Sequence, residues 1–310
     1  VNEYEYIILH IDGGMGKNVA ATAVAHAIKK QHFVSKLIIV TAWPEVWIHN
    51  PDVHRVYKFG TLLYFYEDYI KDKKTKIMRL EPYHSEDLLL KRKHLAEVWC
   101  DLYDIPCDSV QPRIYLSNRE LMAANALVKK QGPILVVQSS GGADGQGYPY
   151  SWARDLPPQV AQETVNLVKS QFSKVYQIRR DNQIVIDGTE QLTGNLRDII
   201  SVIALSDKFL GIDSLMQHAC AALNKPATVG WIANSPTVFG YKLHNNIIAK
   251  GSTEFKHYVE SYLEEYDWVG SRFHECPYTD VNSIFDIKEL ANSLLEPGTK
   301  LVDNNGLLLN

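Results

Sequence analysis

Leu196–Trp231, LRDIISVIALSDKFLGIDSLMQHACAALNKPATVGW, decides how the chain is built. It reads as helix, strand, a tight turn carrying Asp213 and Ser214, a second helix and a second strand. Asn195 and Asp198 have the spacing of a capping pair at the start of the first helix. Lys208–Ile212 is a short apolar run of the kind a buried strand requires. The second helix, Leu215–Leu223, is short and rich in small residues, so it can lie close against a sheet. Asn224 and Pro226 end it before the strand Ala227–Ile232. Strand, helix and strand in so few residues make a parallel crossover. Its helix starts at the carboxyl end of a strand, where open α/β sheets bind ligands. The N–H groups of Leu215, Met216 and Gln217 lack intrahelical acceptors and would face such a ligand, with a preference for anions. His218 follows Ser214 by four residues and shares its face one turn further in. The pattern is that of a phosphate cradle.

The alternation extends in both directions from there. Tyr4–Ile11 is β-rich, and the turn Asp12-Gly13-Gly14 leads into a helix from about Gly16 to Lys30. Val19, Ala20, Ala23, Val24, Ala27 and Ile28 give that helix an apolar stripe. Ser35–Thr41 and Val53–Phe59 read as strands, and Ser85–Tyr103 as one long helical segment. Ser117 caps a helix reaching Lys130. A second set then begins: strand Ile134–Gln138, helix Pro158–Gln171, strand Lys174–Ile178, the unit quoted above, and a last helix Ile287–Leu295. The expected fold is α/β, with two Rossmann-like doubly wound domains facing a central cleft. Residues 1–125 form the first domain, 126–295 the second and 296–310 a tail. The cleft lined by both sets of strand ends is the expected ligand site.

Composition narrows the function. With 310 residues, 45% hydrophobic and 22% charged, the chain is long enough for two ordinary domains with a substantial core. A formal charge of −4 carries no nucleic-acid footprint, and the Lys71–Lys76 cluster reads as a solvated loop. No apolar run approaches the roughly 20 residues of a membrane span. The four cysteines show no C-x-x-C spacing, which fits reduced thiols in a cytoplasmic protein and no metal site.

Several stretches together resemble glycosyltransferase family nine, the ADP-heptose:lipopolysaccharide heptosyltransferases, of GT-B architecture. GGMGKNVAATAVAHAIKK is similar to that family's first glycine loop and helix, and TAWPEVWIHNPDVHRVY to its second strand and Asn-Pro-x-Val segment. SWARDLPPQVAQETVNLV resembles its basic-x-Trp-Pro stretch. LTGNLRDIISVIALSDKFLGIDSLMQHACAALNKP resembles its closing Asp-Thr-Gly-x-x-His and Ala-Ala-Leu-x-x-Pro signature. The resemblance implies a nucleotide-sugar donor held by the C-terminal domain and a glycan or glycolipid acceptor held by the N-terminal domain. It also implies inversion at the anomeric carbon, with no obligatory metal and no cofactor beyond the donor. A lipid-linked acceptor would bring the protein to a membrane surface without a transmembrane segment. The matching positions put Asp213, Ser214 and His218 on the donor diphosphate, and Arg154 where a cation neutralises the leaving group. Leu215 stands where the family has Gly.

One departure bears on chemistry. The family's general base is an Asp after Met-Gly, and here that position is Lys17. A protonated lysine cannot accept the acceptor proton, but it can stabilise a departing diphosphate. Asp12 is the nearest carboxylate in sequence and the candidate substitute; its other role is to shape the turn. Gly13 and Gly14 let the backbone approach a ligand closely. Trp43 follows a strand end in the acceptor domain and is the candidate sugar platform. Arg179, after Lys174–Ile178, stands where a base or ribose would sit. Ser139 and Ser140 open the glycine-rich loop GGADGQG, which could close over a donor. Two alternatives stay open: a sugar-nucleotide-binding protein without catalysis, and a P-loop ATPase built on Gly13–Lys17. The P-loop would need a Gly at Ile11 and a Ser or Thr at Asn18.

Overall fold

The computed structural model describes residues 4–141, 151–251, 276 and 278–295. In the first half β1 (Tyr6–Ile11), α1 (Met15–Gln31), β2 (Lys36–Thr41) and β3 (Arg55–Lys58) follow in order. Then come α2 (Phe65–Tyr69), β4 (Thr75–Met78), α3 (Glu86–Leu89), α4 (Leu95–Asp101) and α5 (Asn118–Val128). The second half runs through β5 (Ile134–Val137), α6 (Pro158–Val168), β6 (Lys174–Ile178), β7 (Glu190–Leu192) and α7 (Leu196–Leu205). It continues with β8 (Lys208–Ile212), α8 (Leu215–Ala222), β9 (Thr228–Trp231), α9 (Pro236–Phe239), β10 (Asn245–Ile248) and α10 (Ile287–Leu295). The glycine-rich loop after Gly141 and the tail 296–310 lie outside the described residues.

Both sheets are parallel throughout. The first has the order β3-β2-β1-β4 and the second β10-β9-β8-β5-β6-β7. Renumbered from β5, the second order is 3-2-1-4-5-6, the dinucleotide-fold arrangement, in which strand order reverses between β5 and β8. In the first sheet the same reversal falls between β1 and β4, with Tyr6 opposite Thr75 and Leu9 opposite Met78. The carboxyl ends at these two reversals lead to Asp12–Gly14 and Arg79–Glu81 in one half, and to Ser139–Ser140 and Asp213–Ser214 in the other.

Local chemistry explains the element ends. Asn195 and Asp198 form a reciprocal capping box on α7, and Ser117 and Glu120 do the same for α5. The expected lysine loop is corrected at its end. Thr75–Met78 is a strand, with Met78 in the core and Ile77 exposed. Lysines on such an edge deter pairing with another chain. The expected single helix Ser85–Tyr103 is also corrected, being α3 and α4 with a break at Lys91, whose φ is +56°. The Lys91 ammonium then donates to the Ala233 carbonyl of the second half (3.1 Å), and His94 with Glu97 caps α4.

The halves share a core. Val19, Val24, Trp47 and Trp99 belong to the same buried cluster as Phe209, Met216, Ala219 and Trp231. Within it α1 packs on α8 and α5 on α7. Arg197 of α7 fastens the seam: its guanidinium donates to Glu120 Oε1 (2.5 Å), to the Tyr115 carbonyl (2.6 Å) and to the Glu45 carbonyl (3.2 Å).

Candidate active site

The start of α1 meets the start of α8. A Cβ on Gly16 would stand 3.3 Å from His218 Cδ2 and 3.4 Å from Leu215 Cα, a tight fit that any side chain there would press on. Neither helix start is closed by its own cap side chain, neither Gly14 on α1 nor Ser214 on α8. Two strand-order reversals thus deliver two glycine- or serine-bearing turns and two helix N-termini to one seam.

On the first side Gly13 has φ +98°, a conformation that only glycine adopts readily, and its carbonyl accepts the Trp43 indole N–H (3.0 Å). Trp43 therefore buttresses the loop while packing against the core. Asp12 is half exposed, at 52%, with its carboxylate 3.6 Å from the His10 ring and 3.7 Å from Arg79. The Lys17 side chain is 7% exposed and does not stand free. Its ammonium donates to Glu81 Oε2 at 2.5 Å and lies 5.0 Å and 5.3 Å from the ring centres of Tyr83 and Trp99. Burial lowers the Lys17 pKa and Glu81 opposes that shift. Tyr83 in turn stacks on Phe239 of the second half, ring centres 6.0 Å apart.

On the second side Gln138 bridges the two strand ends, its amide donating to the Ser214 hydroxyl (3.2 Å). Ser139 and Ser140 are buried, and the Ser139 hydroxyl accepts from Gln177 (3.4 Å). Asp213 accepts from the Asn234 amide. The Asp155 carboxylate takes the backbone N–H of Gly141 (2.7 Å) and of Ser151 (2.9 Å), clasping both sides of the glycine-rich loop. Arg154 is half buried beside it, and a Cβ on Gly141 would lie 3.4 Å from the Arg154 Nε. Arg179 is half buried past β6, with its NH1 on the Arg180 carbonyl (3.3 Å).

Two expectations change in character. The Gln217 side chain is fully buried and donates to the Phe239 carbonyl (2.9 Å), which leaves only its backbone N–H for a ligand. His218 is buried with Nδ1 2.7 Å from the Tyr241 hydroxyl, and burial pushes its pKa down to about 3, with His94 and His244 adding to the shift. It is neutral at pH 7 and can offer an anion a hydrogen bond but no charge. The sequence reading missed Glu81, Gln138, Asn234, Tyr83 and Tyr241. Glu81 is the one carboxylate between Asp72 and Glu86, but without the strand before it the sequence does not bring it to Lys17.

No family model matches the sequence, and no curated protein matches it. Solved structures do match in fold. A glycosyl transferase family 9 protein from Veillonella parvula superposes with a TM-score of 0.65 at 11% identity, over 95% of this chain and 98% of that one. Escherichia coli ADP-heptose lps heptosyltransferase II gives 0.61 at 12% identity, over 94% and 98%. TibC from enterotoxigenic E. coli, described as a dodecameric iron-containing glycosyltransferase, gives 0.64 at 13% identity, over 94% of this chain and 75% of TibC. The chain has the GT-B fold of these glycosyltransferases.

Proposed function

We propose that the chain is an inverting glycosyltransferase. It would move a sugar, a heptose by analogy with the structures above, from a nucleoside-diphosphate donor to a hydroxyl of a glycan or glycolipid. The carrying observation is the meeting of two strand-order reversals at Gly16 and Leu215, which sets two uncapped helix N-termini beside one another. A bond from sugar to diphosphate breaks with negative charge collecting on the diphosphate. Helix N–H groups, Ser214, neutral His218 and the Arg154 guanidinium can meet that charge as it develops. Lys17 contributes through Glu81 rather than as an open cation. Nothing in this chemistry requires a metal, although TibC is described as iron-containing.

The acceptor assignment draws on the first half's surface, where Leu62, Leu63, Tyr64, Tyr66, Ile77 and Leu80 are exposed among lysines. That combination fits a lipid-linked acceptor at an anionic membrane.

A thermal-shift panel tests the reading, with ADP-, UDP-, GDP-, CMP- and dTDP-sugars and ATP–Mg²⁺, each with and without EDTA. A ligand at a hundredfold excess over its Kd stabilises the folded state by about 2.7 kcal/mol. The expected result is a selective, EDTA-resistant shift with ADP-heptose, followed by ADP release in the presence of lipopolysaccharide. A shift with ATP–Mg²⁺ alone would replace this reading with the phosphate-loop one. A shift without any turnover would leave a sugar-nucleotide-binding protein.

A further inference from the structure

We propose that Glu81 is the general base of the transfer, held in place by Lys17, an assignment that rests on the transferase reading above. The topology singles the residue out. Ligands in open α/β sheets bind outside the carboxyl ends of the strands where their order reverses. In the first sheet those strands are β1 and β4, and Glu81 follows the end of β4 by three residues. Across the reversal, the first turn of α1 supplies Lys17, whose ammonium bonds Glu81 Oε2 at 2.5 Å. Glu81 lies between two points of contact with the second half. On one side Tyr83 stacks on Phe239, and on the other Gly16, next to Lys17, abuts Leu215 and His218.

Two other carboxylates at the seam are bonded within the second half, and a third points away from it. Asp155 spends its oxygens on the backbone N–H groups of Gly141 and Ser151. Asp213 is bonded to Asn234. Asp12 stands out toward solvent between His10 and Arg79. Glu81 is 21% exposed, and its other oxygen accepts the Tyr83 N–H at 3.2 Å. A carboxylate offers about four lone-pair positions, so two acceptor positions remain for a substrate hydroxyl. The ammonium, near Tyr83 and Trp99, holds the carboxylate in one orientation. At the position matching the resembling family's base this chain carries a cation, and its carboxylate follows the neighbouring strand β4.

The step balances without any further reactant. The acceptor oxygen forms a bond to the anomeric carbon as its proton passes to Glu81. The bond from that carbon to the diphosphate oxygen breaks, and its electron pair leaves with the nucleoside diphosphate.

The test uses the full chain with ADP-heptose as donor and core-truncated lipopolysaccharide as acceptor, reading ADP release. Glu81→Gln keeps an oxygen for the Tyr83 N–H and removes the base. The expected result is a kcat at least about 100-fold lower, a Kd for ADP-heptose unchanged within about threefold, and loss of the acid limb of the kcat–pH profile. Glu81→Asp, which keeps the charge but withdraws it by one methylene, is expected to lose rate while still folding; a wild-type rate in it overturns the assignment. So does a preserved rate in Glu81→Gln, above all if Asp12→Asn is inactive. Donor affinity falling in step with kcat would make Glu81 a structural residue and also overturn it. Absence of transfer by the wild-type protein overturns the transferase reading and the base together, whereas transfer that survives Glu81→Gln overturns the base alone.

Discussion

Two arginines show how differently the same side chain serves the two sides of the seam. Arg154 is half buried beside the clasp that Asp155 makes on Gly141 and Ser151, and it belongs to neither buried apolar cluster of the two sheets. Arg154→Ala is therefore expected to lower kcat by about 10²–10³-fold with Tm nearly unchanged; a wild-type turnover number in steady-state kinetics would remove Arg154 from the site. Arg197 is buried, and its bonds to Glu120, Tyr115 and Glu45 run from the second half to the first. The guanidinium holds the Glu120 pKa down to about 2. A depressed carboxylate pKa contributes stability above the unfolded value, near 4.5, and loses it as pH falls toward 2. Arg197→Ala should cost about 2–3 kcal/mol in urea unfolding at pH 7, with much of that difference gone at pH 3. An unchanged midpoint would mean that the seam does not depend on this pair. At this scale the sequence displayed Arg154 through its Trp-containing neighbourhood. It hid Arg197, because nothing in LRDIISVIAL marks one charged residue as pointing across to Glu120.

Elements were legible where their own residues settled them. Lys174–Ile178, Lys208–Ile212 and Ile287–Leu295 occupy the expected positions because an apolar run or a strong amphipathic stripe suffices to define them. β4 was not legible. Thr75-Lys76-Ile77-Met78 places one side chain in the core, and its strand character comes from pairing with β1. Missing that strand also concealed Glu81, since only the strand places it across from Lys17. The break at Lys91 was equally hidden, because a lysine rather than a glycine takes the left-handed position that lets the Arg92 N–H close on the Asp87 carbonyl. Packing of elements also creates a buried histidine group that no spacing reveals. His94 caps α4, His218 lies on α8, and His244 donates to the Gln217 carbonyl (3.0 Å). Tyr241 sits among them, 5.3, 5.6 and 5.7 Å from their rings. Burial holds His94 and His244 down to about 4 and His218 to about 3. All three are neutral in the fold, whereas the unfolded chain takes protons near pH 6.5. Stability is therefore complete above about pH 6.5 and falls as pH drops toward 4, by roughly 3 kcal/mol per histidine. Urea midpoints measured from pH 7.5 to 4.5 should decline steeply, and His94→Gln should flatten the decline. A flat profile in the wild type would show that the cluster admits water and protons.

At the scale of the whole molecule, the two sheets are dressed unequally. In the second half α6 and α10 close one face with Val160, Val165, Leu290 and Leu294, while α7 and α8 close the other. In the first half α1 and α4 cover one face, while among the described residues the opposite face carries only the five-residue α2 over Tyr6, Ile8, Ile38, Val40 and Tyr57. Apolar residues spill out around that short cover, with Leu63 80% and Tyr64 74% exposed. The segment from Lys58 to Leu80 holds six basic and three acidic residues in a chain whose formal charge is −4. A local positive excess around exposed leucines and tyrosines suits the interface of an anionic bilayer, where each lysine near the surface contributes about 1 kcal/mol. The face belongs to the half proposed to hold the acceptor, so such a contact would bring a lipid-linked acceptor to the cleft from the membrane side. The protein is expected to float with vesicles containing phosphatidylglycerol at low salt, to release at about 0.5 M salt as the Debye length shortens, and to ignore purely zwitterionic vesicles. Leu63→Glu with Tyr64→Glu should abolish flotation without moving Tm, because neither side chain is in the core, and should raise the KM for a vesicle-borne acceptor without changing donor affinity. Equal flotation of the double variant and the wild type would assign the membrane contact to another face of the molecule.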